Sequence, residues 1–149
     1  MTEQRSKPRL PPRLSLALAP EGPVLAALLA RFPHTLAVYA FGSQVQGAAG
    51  SDSDLDLAVL LAGYADPVQL WELAGSLADV AGCPVDLLDL RAASTVMQYQ
   101  VITTGRRIWT QGIDADLFES FVLSEKTALD TARSGLLSDI QKEGRVYAR

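Results

Sequence analysis

Apolar and polar positions along this chain change period several times, and each change marks an element. Val24, Leu25, Leu28 and Leu29 recur at helical spacing, with Pro23 in the first turn, and Pro33 closes a helix predicted over residues 21–31. Residues 36–41 then form an unbroken apolar run that reads as a buried strand and leads straight into Gly42-Ser43. A short helical segment is predicted over 44–48, and Gly47, Gly50, Ser51 and Ser53 make a loop after it. The pattern over 54–61 is a second strand, with Leu55, Leu57 and Val59 on one face and Asp54, Asp56 and Ala58 on the other.

Asp66-Pro67 has the chemistry of an N-cap followed by proline at the first helical position, and Leu70, Leu73, Leu77 and Val80 continue a helical stripe until Gly82. A third strand is predicted over 84–90, carrying Asp86 and Asp89 among aliphatic residues. A helix over 93–103 with Gly105 as terminator, a short edge strand over 107–110 and a long helix from Ile113 complete the chain. The stripe of that last helix is read as Leu117, Phe121, Ser124, Ala128 and Ala132, with Gly135 and Gly144 as kinks or stops. Few strands, closely spaced, fit an α/β (α+β) class: a small mixed β-sheet with helices packed mainly on one side and a long C-terminal helix.

The chain has 149 residues and 48% apolar composition, which suits one domain over 21–149 behind a flexible N-terminal arm over 1–20. A net charge of −4 argues against a protein that coats nucleic acid or membrane by bulk electrostatics. Cys83 alone allows neither a disulfide framework nor a cysteine-rich zinc site, and is read as a small buried residue. No apolar stretch is long enough for a spanning helix, so the chain is expected in the cytoplasm. His34 is read as a surface turn residue, and Trp71 and Trp109 as packing residues.

The densest chemistry lies between Gly42 and Asp56. Glycine after a strand lets backbone N–H groups approach an anion closely, and Ser43 adds a short hydroxyl donor. Ten residues on, Asp54 and Asp56 are two apart in extended chain and aim to the same side. Two neighbouring carboxylates either hold a proton or take a hard cation, and an all-oxygen site suits Mg²⁺. Asp86 is a further carboxylate for this site and Asp89 its rival; on an ideal strand, residues three apart face opposite sides, so at most one joins.

Gly42-Ser43, ten intervening residues, Asp54-x-Asp56 and a later strand bearing Asp86 together resemble the nucleotidyltransferase superfamily that includes DNA polymerase beta. Small size, Val85-Asp86-Leu87-Leu88-Asp89-Leu90 and the stretch from Ile102 to Trp109 resemble the minimal nucleotidyltransferases, antitoxins paired with HEPN-domain ribonuclease toxins. The resemblance implies the polymerase beta-like fold, triphosphate binding at Gly42 and Ser43, and Mg²⁺ at Asp54, Asp56 and Asp86. It further implies transfer of AMP from ATP to a tyrosine of the partner toxin. Where relatives of this kind carry a basic residue shortly after Gly-Ser, this chain has Gln44-Val45-Gln46. Two other readings stay open: an antitoxin that works by steric binding alone, and a nucleotidyltransferase for a small molecule.

Overall fold

In the computed structural model the described residues are 18–19, 22–42 and 54–147, with side chains described as far as 138. Ser43, the predicted helix over 44–48, the loop before Asp54 and most of the N-terminal arm lie outside them. Helix α1 (Pro23–Arg31) leads to strand β1 (Thr35–Phe41); strand β2 (Leu55–Leu61) leads to helix α2 (Pro67–Ala81). Strand β3 (Val85–Asp89) and a 3₁₀ turn (Leu90–Ala92) precede helix α3 (Thr95–Thr104), strand β4 (Arg106–Thr110) and helix α4 (Asp114–Tyr147).

The strands form one mixed sheet in the order β3-β2-β1-β4. β1 runs antiparallel to both β2 and β4, whereas β2 and β3 are parallel, with α2 as the crossover between them. The predicted caps of α2 hold. The Asp66 side chain accepts from the Val68 N–H at 3.1 Å, Pro67 occupies the first turn, and Gly82 ends the helix in the left-handed conformation at φ 76°. Helix α3 starts two residues later than its pattern suggested, because Ser94 caps it by accepting from the Met97 N–H.

The helices do not gather mainly on one side of the sheet, as the strand patterns suggested; α1 and α2 cover one face and α3 and α4 the other. The reason lies in the two central strands, which are apolar on both faces and so need cover on both. Val38, Ala40, Leu55, Leu57 and Val59 meet Leu25, Leu28, Leu73 and Leu77 in one core. Ala37, Tyr39, Ala58 and Leu60 meet Val101, Ala115, Phe118 and Val122 in the second. Cys83 is a small buried member of the first core, and Trp109 packs against its edge. Trp71 belongs to neither core: 78% of it is exposed.

Helix α4 differs from its sequence pattern in two ways. It buries Ala115, Phe118 and Val122, while Leu117, Phe121, Ser124, Ala128 and Ala132 face solvent. Both sets have helical spacing; the sheet accepts the set one residue round. The helix also continues through Gly135 and Gly144 for 34 residues; at Gly135 a Cβ would meet nothing within 4 Å among the described residues. A polar tie holds its first turns to the sheet. The buried Tyr39 hydroxyl donates to Glu119 at 2.6 Å, and Arg107 Nη1 reaches Glu119 at 3.0 Å and Asp116 at 2.8 Å. Burial, and then the Glu119 carboxylate, push the Tyr39 hydroxyl well above the usual phenol range, so it stays protonated as a donor.

The α2 cap gives a direct check. Asp66→Ala leaves the Val68 N–H without its side-chain acceptor and lowers unfolding stability by about 1 kcal/mol, whereas Asp66→Asn retains most of it. Urea titrations of the three proteins measure both values.

Candidate active site

Three strand ends meet at one edge of the fold. Antiparallel pairing sets Phe41, the last residue of β1, opposite Asp56 on β2. Parallel pairing on the other side sets Asp86 of β3 beside the same Asp56. Across the sheet the order is therefore Gly42, Asp56, Asp86, with the exposed Asp54 just ahead of β2.

Gly42 is glycine for two reasons. Its φ of +83° lies in the left-handed region, which costs other residues strain, and a Cβ there would overlap the Asp56 Oδ2. The backbone at the end of β1 thus lies directly against the carboxyl. That is the close approach a phosphate-binding turn requires, although Ser43, its expected partner, lies outside the described residues.

The side chains that flank the pair fix its orientation. Leu55 and Leu57 point into the α1/α2 core, and so do Val85 and Leu87. Alternation turns Asp56 and Asp86 to the opposite face, on the side of Ala58 and Leu88. Burial raises the Asp56 carboxyl from its ordinary range to about 6; the negative charges of Asp86 and Asp54 add to the rise, and so does a hydrogen bond between the Asp56 and Asp86 carboxyls. A site that opposes its own ionisation in this way is built for a proton or a cation. Among the described residues no three His, Cys, Asp or Glu side chains stand ready to enclose an ion. The arrangement fits Mg²⁺ better than a fully caged metal, since Mg²⁺ keeps waters and takes phosphate oxygens beside one or two carboxylates.

Asp89 separates cleanly from its rival. It is 9% exposed at the other end of β3, where its Oδ2 accepts from the Ala65 N–H at 2.8 Å. That contact ties the β2–α2 connection to β3. His34 is exposed in the turn ahead of β1, also away from the carboxylates. Gly75 escaped the sequence reading, and Trp71, read there as a packing residue, is exposed; both line a groove beside β3. A glycine in the middle of a helical stripe was the available signal.

The raised Asp56 carboxyl has a measurable consequence. Its folded pKa lies above the unfolded value, so ionisation above pH 6 works against the metal-free fold, and the penalty disappears as pH falls toward 4. Asp56→Asn therefore stabilises the metal-free protein at pH 7 by about 1 to 2 kcal/mol, less than the whole shift because the carboxyl is partly exposed. Thermal melts of both proteins at pH 4 and pH 7 in chelator test this; an equal gain at both values contradicts it.

Comparison with known proteins identifies the family to which this fold belongs. Residues 24–114 match the polymerase beta nucleotidyltransferase family model. The protein adenylyltransferase MntA of Shewanella oneidensis is 38% identical over 120 residues, covering 80% of this chain and 86% of that protein. A crystal structure of a toxin-antitoxin with AMP-PNP superposes with a TM-score of 0.70 at 37% identity, covering 79% of this chain and 95% of the other. A tri-AMPylated HEPN toxin of Shewanella oneidensis in complex with MNT antitoxin gives a TM-score of 0.64 at 36% identity, covering 79% and 92%. The shared fold and the match over most of the chain show that the chain belongs to the polymerase beta nucleotidyltransferase family, in the minimal branch that MntA represents.

Proposed function

We propose that this chain is an antitoxin that transfers AMP from ATP to a tyrosine hydroxyl of a cognate HEPN-domain toxin and so silences it. The observation that carries this reading is the position of Asp56, flanked by the Gly42 backbone on one side and by Asp86 on the other. The relatives support it, since one is a protein adenylyltransferase and another was captured with an AMPylated toxin.

In this reading Gly42 and Ser43 hold the triphosphate, and Asp54, Asp56 and Asp86 hold Mg²⁺. When bound, Mg²⁺ lowers the pKa of the attacking hydroxyl and neutralises charge on the triphosphate. The chain's own groups do the positioning. The Gly42 backbone draws the phosphates against β1, and Asp54, Asp56 and Asp86 would hold Mg²⁺ beside β2, where it would offset the phosphate charge. Asp86, on the far side of Asp56 from Gly42, accepts the tyrosine proton. The phenolic oxygen bonds to the α-phosphorus, the bond from that phosphorus to the bridging oxygen breaks, and pyrophosphate leaves. Among the described residues no helix is long and apolar enough to cross a membrane, and the reading places the protein in the cytoplasm with ATP and its toxin.

Purified protein incubated with ATP, Mg²⁺ and the HEPN protein encoded beside it should add the mass of AMP to a toxin tyrosine. Asp54→Asn, Asp56→Asn and Asp86→Asn each lower that rate by a hundredfold or more, while chelator abolishes it. Asp89→Ala behaves differently: it releases the Ala65 N–H and lowers stability by about 1 to 3 kcal/mol, with transfer retained at temperatures where the protein is folded. Sequence favours one rival at a single point, because Gln44-Val45-Gln46 offers the triphosphate no cation. Steric neutralisation predicts that the Asp54→Asn/Asp56→Asn double variant protects cells as well as the parent does, and that result would overturn the transfer reading.

A further inference from the structure

Strand β3 ends the sheet order and has only β2 as a strand neighbour, so one edge of its backbone is unpaired by strands among the described residues. Beside that edge, between β3 and α2, runs a groove of about 540 Å³ whose lining includes Trp71, Gly75, Ala78, Pro84 and Asp86. Two features of the groove have no use inside the fold. Trp71 is 78% exposed on its rim, a large apolar area left in water. Gly75 lies in the middle of α2, where glycine costs about 1 kcal/mol relative to alanine, yet a Cβ there would meet nothing within 4 Å. Among the described residues no packing contact requires that glycine; its lack of a side chain keeps the groove open.

Building on the transfer reading above, we propose that an extended segment of the protein acceptor adds to the free edge of β3 and lays alternate side chains in the Trp71–Gly75 groove. Strand alternation then does the rest. Val85 and Leu87 face the α1/α2 side while Asp86 faces the carboxylate side. A strand docked in register with β3 alternates in the same way, so residues next to those seated in the groove turn toward Asp56 and Asp86. A tyrosine at such a position presents its hydroxyl to the site.

The order of the site across the sheet selects the acceptor over the donor as occupant. The phosphate grip at Gly42 is on the β1 side of Asp56, and the groove is on the β3 side, beyond Asp86. In phosphoryl transfer the attacking and leaving oxygens stand roughly in line. A leaving pyrophosphate held toward β1 therefore requires the attacking oxygen to arrive from β3.

Two substitutions separate this docking from catalysis. Gly75→Leu places a bulky, helix-favouring side chain in the groove at a position where a Cβ meets nothing within 4 Å, and Trp71→Ala removes the exposed anchor. With the full-length protein, its toxin, ATP and Mg²⁺, each should raise the KM for toxin tenfold or more and leave the KM for ATP within twofold of the parent. Circular dichroism melts report whether both variants keep the parent fold. An unchanged toxin KM in both folded variants overturns the proposal, and so does a rise confined to the KM for ATP, which would give the groove to the nucleotide base. The parallel Asp56→Asn reaction tests the underlying reading separately: if that variant transfers AMP at the parental rate, it is the assignment of the carboxylate site that fails.

Discussion

The pairing of β2 with different neighbours on its two sides is the constraint on which the rest depends. Antiparallel β1 delivers its C-terminal end, and with it the Gly42 turn, to the start of β2. Parallel β3 delivers its own start, and with it Asp86, to the same place. Only a mixed sheet brings a strand end and two strand starts together in adjacent positions. Asp56 lies in the middle of that row, with backbone close on one side and a second carboxyl on the other; burial first, and then the charges of Asp86 and Asp54, raise its carboxyl above the ordinary range.

Such a centre is unfavourable to build, because clustered, partly buried carboxyls oppose folding. The stability that offsets them comes from the two cores. Leu55 and Leu57, which alternate with Asp56, are fully buried, so the strand that carries the acid is anchored by its alternate residues. Parallel β3 is held in turn by α2, the crossover helix, and by Asp89 gripping the Ala65 N–H. The same alternation that aims the acids outward also buries the residues that hold them.

The outer surfaces show a complementary economy. After its first turns α4 leaves the sheet, and its side chains from 130 to 138 are exposed, with Leu136 and Leu137 each 60% accessible. The α2–β3 side exposes Trp71 above an open groove. The proposed transfer would draw its acceptor-binding surface from this edge of β3.

Sequence alone determined the local features: the α2 cap at Asp66, its stop at Gly82 and the apolar strand before Gly42, because capping chemistry, glycine geometry and apolar patterning act over a few residues. It left several matters to the tertiary structure. Whether Asp86 or Asp89 stands beside Asp56 depends on the register of two strands separated by a whole helix, and periodicity carries no register between strands. Which stripe of α4 is buried, and that the helices cover both faces, depend on the sheet they meet, since 115, 118 and 122 are spaced as helically as 117, 121 and 124. The spacing of residues names which groups share a face; only the packed neighbour decides which face is inside.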